Sequence, residues 1–164
     1  MLNTVNPRQT VLVTCRAKYN NFGKDEIKDN IIALDWHIPL SFKPLMYGIS
    51  AGKTRFSCEL ISRSKCFAVN FMSIDFQKEV LFCGRHTGRH MDKFTEAGLT
   101  KKDCDKIDCA RIKEALAYIE CEVVDEIDTG DHVLFIGKVA ASALLNQGKR
   151  IFHIVGDDFT TTVD

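Results

Sequence analysis

The 164-residue chain has no Cys-x-x-Cys pair, no Gly-x-Gly-x-x-Gly fingerprint, no imbalance of charge and no apolar run long enough to cross a bilayer. Each absence removes a class of function. Seven cysteines are scattered at positions 15, 58, 66, 83, 104, 109 and 121, so neither a zinc site nor an iron–sulfur cluster is indicated, and no metal ligand is assigned. In apolar segments such as Val11 to Cys15 and Ile119 to Val123 a free thiol behaves as a small core residue. Cys83 is set apart only by the Gly84-Arg85 that follows it. Lys+Arg and Asp+Glu balance at 22 each, which leaves no general cationic field to gather nucleic acid or anionic lipid. The missing glycine fingerprint excludes a Rossmann domain. No Ser/His/Asp or paired-carboxylate motif points to hydrolysis. Met1 to Pro7 lacks the charged and apolar segments of a secretion signal, and a cytoplasmic protein is expected.

What is present suits one domain over residues 1–164, since 45% hydrophobic content at this length buries one core. Strand-like segments dominate: Thr10 to Cys15, Leu45 to Ser50, Phe67 to Phe71, Ala115 to Val124, His132 to Ala140 and Ile151 to Val155. They predict a mainly β protein with short helices, an antiparallel barrel. Ala115 to Val124 alternates, with Ile119, Cys121 and Val123 on one face and Glu120, Glu122 and Val124 on a wet one. It turns through Asp128-Thr129-Gly130-Asp131 into Val133 to Gly137, a hairpin. Ser73 is placed to cap a helix through Phe76, Val80 and Leu81, and a second helix is expected over Met91 to Ala97, stopped by Gly98.

The stretch that carries most chemistry is Gly52-Lys53-Thr54-Arg55-Phe56-Ser57, lying between the Leu45 to Ser50 strand and a helix over Cys58 to Arg63 with Leu60 and Ile61 inward. A strand-to-helix turn exposes N–H donors that no earlier residue satisfies, and the helix dipole favours an anion there. Thr54, Arg55 and Ser57 add hydroxyls and a fork-shaped cation suited to phosphate. The plainer alternative is that Thr54 caps the helix and Arg55 is solvated. This is not a Walker loop, because Lys53 precedes the hydroxyls and the spaced glycines are missing.

The order of segments resembles the flavin reductase-like family, flavoredoxin-like NAD(P)H:flavin oxidoreductases that carry FMN in a split, Greek-key β-barrel. The likeness covers nearly the whole chain. It runs from Asn6-Pro7 and the Val11 strand through Asn30 to His37, Pro39 to Pro44, Gly52 to Ser57 and Phe67 to Phe71. It continues through Cys83-Gly84-Arg85, Thr87-Gly88-Arg89, Asp92-Lys93-Phe94 and Gly130 to Gly137. The resemblance implies that Ala33, Leu34, Asp35, Trp36 and His37 wall the isoalloxazine ring, with Ser50 beside them. Asp35 departs from the family pattern, which more often has a small or neutral residue there. Trp36 reads equally as a core residue, and a lone histidine such as His37 is more often structural than functional. Thr54, Arg55 and Ser57 hold the phosphate, joined by Asn70 and Phe71. Gly88, Arg89 and Lys93 form a basic loop over phosphate or ring, contributed by the same chain or by a dimer partner; a solvated helix start is the alternative. His132 corresponds to a histidine at the flavin face where nicotinamide stacks.

The implied reaction is hydride transfer from NADH or NADPH to flavin N5, followed by electron transfer to free flavin, ferric iron, oxygen or another protein. The competing readings are an FMN-binding electron carrier without reductase turnover, and a flavin-free barrel holding another phosphorylated ligand. The resemblance further implies a homodimer with an interface including Gly84 to Phe94, while balanced charge and short apolar runs predict no nucleic acid or membrane partner.

Overall fold

Runs rich in valine, isoleucine and phenylalanine build the framework of the computed structural model, which describes residues 4–162. In chain order the elements are β1 (Arg8–Gln9), β2 (Val11–Asn21), β3 (Lys24–Leu34), β4 (His37–Phe42), β5 (Leu45–Gly52), α1 (Phe56–Ser64) and β6 (Cys66–Phe71). A 3₁₀ turn (Ile74–Phe76) leads into α2 (Gln77–Arg85) and α3 (Lys93–Glu96). The rest are β7 (Lys101–Asp103), β8 (Ala110–Ile112), β9 (Ala117–Thr129), β10 (His132–Leu144), β11 (Phe152–Val155) and β12 (Asp158–Thr160). Seven strands form one sheet in the order β3-β2-β6-β9-β10-β5-β4, with every adjacent pair antiparallel. The expected barrel is thus a mostly β, antiparallel fold whose ladder ends at β3 and β4 and does not close among the described residues.

Over β2, the second half of β3 and β6 both faces of this sheet are covered, which explains continuous apolar runs where simple alternation would give half-wet strands. Val11, Val13 and Cys15 point into a core shared with Ile49, Leu60, Ile61, Phe67 and Phe135 beneath α1. Leu12 points the other way, into a second core with Ile31, Met72, Val80, Cys83 and Phe94 beneath α2 and α3. All six residues of β6 are buried. Where β9 crosses β10, the register shifts between Ile136 and Gly137. A Cβ at Gly137 would lie 2.7 Å from Cys121 Cβ and 2.8 Å from Phe67 Cζ, so only glycine lets the strands approach this closely.

Several expectations are corrected. β3 extends over Lys24–Leu34 as a full strand, although its first half, charged and exposed, carries no strand pattern. Glu120 does not face water. It is fully buried because the loop after β7 lies over it, and its carboxylate accepts the N–H groups of Asp105 and Lys106 at 2.9 and 2.8 Å. Ser73 caps the 3₁₀ turn and not α2 itself. The helix expected over 91–97 is a single turn, capped by the Asp92 side chain and ended by Gly98 at φ +66°. Arg55 is the N-cap of α1 and no side chain caps it, so Thr54 is not a cap.

The two sheet edges differ. β3 presents Lys24, Asp25 and Glu26 to solvent. β4 exposes Ile38, Leu40 and Phe42, and its pairing with β5 slips between Pro39 and Ser41.

Candidate functional site

Two adjoining cavities lie where the end of β3, the turn from β5 into α1, and the segment after α2 come together. They share Ile32, Arg55 and Gly84. The smaller, of about 80 Å³, is floored by Asn30 and Ser57 and bounded by Thr54, Arg55, Gly88 and Lys93. The larger, of about 360 Å³, is walled by Ala33, Leu34, Asp35 and Trp36, with Ser50, Gly52 and His132 opposite. That size suits a small organic ligand, for which sites span roughly 300–1,000 Å³.

The smaller cavity gathers groups that attract an anion. α1 starts here because Arg55 N–H closes a turn on Gly52 C=O at 2.9 Å, and Cys58 N–H then bonds Arg55 C=O at 3.0 Å. The intervening N–H groups of Phe56 and Ser57 make no hydrogen bond among the described residues, and the dipole of a nine-residue helix lies behind them. The Arg55 guanidinium and Thr54 hydroxyl are exposed and likewise make no hydrogen bond or ion pair among the described residues. Lys93 is 3% exposed, and its ammonium donates to Ile31 C=O at 2.8 Å and Cys83 C=O at 2.7 Å. One N–H remains for the cavity. Burial lowers its pKa from 10.5 to about 8 despite the neighbouring Cys83 and Cys15.

Asn30 completes the floor. It is 2% exposed, its Nδ2 donates to Ser57 Oγ at 2.8 Å, and its Oδ1 has no partner. A buried amide atom left alone is costly unless a ligand satisfies it. Turned by 180°, the same amide would accept from the Ser57 hydroxyl and offer donors to the cavity. Gly88 lies directly above: an added Cβ would overlap Asn30 Oδ1 and lie 2.7 Å from Asn30 Cγ.

The larger cavity has a different character. Ile32, Ala33 and Leu34 line one side of it, and beside them the Trp36 ring has its centroid 4.7 Å from that of His132. Asp131 Oδ1 accepts from His132 Nδ1 at 2.7 Å, which fixes the imidazole and leaves Nε2 without a partner among the described residues. The imidazole in turn holds the Asp131 carboxyl below the usual carboxylate range.

The residues expected at a site therefore divide. The fold brings together Ala33, Leu34, Asp35, Trp36, Ser50, Thr54, Arg55, Ser57, Gly88, Lys93 and His132. Four others lie elsewhere. Asn70 is fully buried, its amide donating to Leu12 C=O and accepting from Ile112 N–H, and so it ties β6 to β2 and β8. Phe71 packs in the main core with Arg150 over its ring. His37 turns inward, bonded to Tyr47 Oη at 2.6 Å and Gln9 C=O at 2.9 Å, with its pKa lowered by burial. Arg89 donates to Tyr19 Oη at 2.8 Å and Glu59 at 3.0 Å and stacks on Phe56, so its charge is already met. Cys83 lines the smaller cavity, but burial pushes its thiol up to about 11, and it is no nucleophile at neutral pH. Asn30 and Gly84 lie in stretches that carry the family resemblance, Asn30 at the head of the one expected along the ring, but neither is singled out there as a contact; the signal for Asn30 is an amide at the head of the apolar run Ile31 to Leu34.

A family model described as flavin reductase like domain matches residues 3–154. The chain belongs to the flavin reductase-like family. An uncharacterized protein of Archaeoglobus fulgidus is 37% identical over 112 residues, 68% of this chain and 63% of that protein, so the match spans less than two thirds of that relative's length. An FMN-binding protein from Thermus thermophilus, solved with bound 1-cyclohex-2-enone, superposes with a TM-score of 0.84 at 20% identity, covering 98% of this chain and 89% of its own. Flavoredoxin from Methanosarcina acetivorans gives 0.81 at 24% identity, covering 98% and 87%. These likenesses show the split-barrel fold of the flavin reductase-like proteins. No helix of the flavin reductase-like domain is long and apolar enough to cross a membrane among the described residues.

Proposed function

We propose that the chain binds FMN and works as an NAD(P)H-dependent flavin or ferric reductase. The observation that carries this reading is the continuity of a cavity lined by anion-attracting groups with a roomier one walled by Ala33, Leu34 and Trp36, through Ile32, Arg55 and Gly84. FMN has that two-part chemistry, a phosphate at one end and a planar ring at the other. The unpartnered Asn30 amide supports the fit, since a ribityl hydroxyl or a phosphate oxygen satisfies it in one orientation or the other.

Bound FMN supplies the redox chemistry, accepting a hydride equivalent and passing electrons onward. The chain's own part is position and electrostatics. Thr54, Arg55, Ser57 and Lys93 would hold the phosphate, with Gly88 keeping the loop close enough to shut water out. Ala33 and Leu34 would give the ring an apolar support, while Trp36 and His132 stand where a nicotinamide donor would approach. His132 offers its free Nε2 there, oriented by Asp131. No general base is needed.

A homodimer is part of the reading. None of the large apolar residues exposed among the described residues falls between Gly84 and Phe94; they include Ile38, Leu40, Phe42 and Leu45 on the β4–β5 hairpin. That stripe supports association through the hairpin, and light scattering behind a sizing column gives the mass directly.

The test of the function is the visible spectrum of protein mixed with FMN and freed of excess, then treated with NADH or NADPH under nitrogen. Retained flavin absorbance that bleaches with a nicotinamide supports the reductase. Flavin retained but not bleached assigns an electron carrier, and no retention refutes FMN binding.

A further inference from the structure

Asp35 stands in the wall of the larger cavity, yet its carboxylate is gripped from behind. Oδ1 accepts the Thr10 hydroxyl at 2.6 Å, and Oδ2 meets His153 Nδ1 at 2.7 Å. Thr10 is 3% exposed, which leaves its hydroxyl little choice of partner. The imidazole is itself held, with Nε2 3.2 Å from Gly156 C=O and its ring 5.4 Å from Phe159. Asp35 also borders a cavity of about 200 Å³ reaching Val80 and Phe159, which shares Ala33, Asp35 and Gly84 with the larger one. Of the cations nearby, Arg8 bonds the Asp35 main-chain carbonyl at 3.1 Å and Arg85 pairs with Asp157, while Arg55 lines the larger cavity and pairs with no carboxylate among the described residues. The carboxylate is therefore moderated by two hydrogen-bond donors and by no ion-paired arginine or lysine.

We propose that Asp35 is an electrostatic tuning residue for the flavin, set by Thr10 and His153, and that its charge weakens the binding of reduced FMN relative to oxidised FMN. The inference rests on the FMN reading above. Two-electron reduction places negative charge on the ring near neutral pH, and charge close to the ring shifts its electronics. A carboxylate in a partly desolvated wall repels that charge more strongly than water would allow. Hydrogen bonds from Thr10 and His153 draw electron density away from the ring side. Removing the carboxylate and removing its donors must then act in opposite directions, which a merely structural role for Asp35 would not produce.

The experiment is a midpoint-potential measurement on FMN-loaded wild type, Asp35→Asn, His153→Ala and Thr10→Val, reduced with dithionite under argon against a reference dye, with retained FMN quantified by absorbance. Asp35→Asn is expected to hold reduced FMN about tenfold tighter relative to oxidised FMN, a rise of about 30 mV for a two-electron couple. His153→Ala and Thr10→Val are expected to lower the potential, and they keep the test open if Asp35→Asn does not fold. Unchanged potentials, or shifts of one sign in all variants, overturn the proposal. A wild type that retains no FMN refutes the FMN reading and the inference with it, whereas retained FMN with uniform potentials overturns the inference alone.

Discussion

Raising the pH from 7 to 9 is expected to weaken FMN binding about tenfold, through Lys93 alone. Burial holds this ammonium at about 8, so it is roughly nine-tenths charged at pH 7 and roughly one-tenth at pH 9. A phosphate that needs the charge loses it over that interval. The neighbouring thiols stay protonated there, since burial pushes Cys83 up to about 11 and Cys15 up to about 12. The stability of the ligand-free protein should move the other way. The folded group titrates at about 8 and the unfolded one at 10.5, so between those values the unfolded chain binds more protons and stability rises with pH. The full effect is about 3 kcal/mol, from the size of the depression. The assay is FMN titration by fluorescence at each pH, paired with urea unfolding of the ligand-free protein. Lys93→Met should abolish the affinity trend. Constant affinity from pH 7 to 9, or an undiminished trend in the methionine variant, would refute the reasoning.

Arg55→Ala should weaken FMN binding by about 1.5–3 kcal/mol, the loss of a charge-assisted hydrogen bond to phosphate, whereas Arg89→Ala, whose charge Glu59 already meets, should change affinity much less; isothermal titration separates the two. Gly88→Ala drives a methyl into the Asn30 amide and should cost about 1–3 kcal/mol of stability as overpacking, read as a lowered urea midpoint together with weaker FMN retention. Trp36 is the only tryptophan in the chain and borders the larger cavity, so FMN binding should quench tryptophan emission in proportion to occupancy. Emission that ignores saturating FMN would move the ring out of that cavity.

The turn over Gly52 to Ser57 was legible in the sequence because it is local: hydroxyls, arginine and a helix start fall within six residues, whereas Asn30, Gly88 and Lys93 reach the same cavity only through the fold. The strands β2, β5, β6, β9, β10 and β11 were also legible, since apolar runs mark them, whereas β3, β4 and the short β7, β8 and β12 were not, β3 because charged residues occupy its edge. What sequence could not reveal was which polar side chains are already spent. Arg55 and Arg89 look alike in a chain, and only the fold puts Glu59 and Tyr19 beside one of them. Asn70 and His37 fail as ligand groups for the same reason, their hydrogen bonds being taken up by Leu12, Ile112, Gln9 and Tyr47. Asn30 shows the converse. Its partner lies 27 residues away in Ser57, and its leftover amide atom becomes visible only when β3 and α1 meet.

The unlike guards on the two sheet edges bear on self-limiting assembly. Trp36 C=O accepts from Ser50 N–H, so even-numbered residues of that stretch bond inward to β5, and Pro39 falls on the free side, where it has no N–H to give. The slip after Pro39 then puts the following groups out of step. An incoming strand finds apolar side chains to pack against but no unbroken row of donors, so growth strand by strand into a fibril stalls at the first rung. At the opposite edge, Lys24, Asp25 and Glu26 make any apolar segment shed charge hydration before it can dock. Replacing Pro39 with a β-branched residue would remove one guard and leave the stickiest edge of the sheet open to templating.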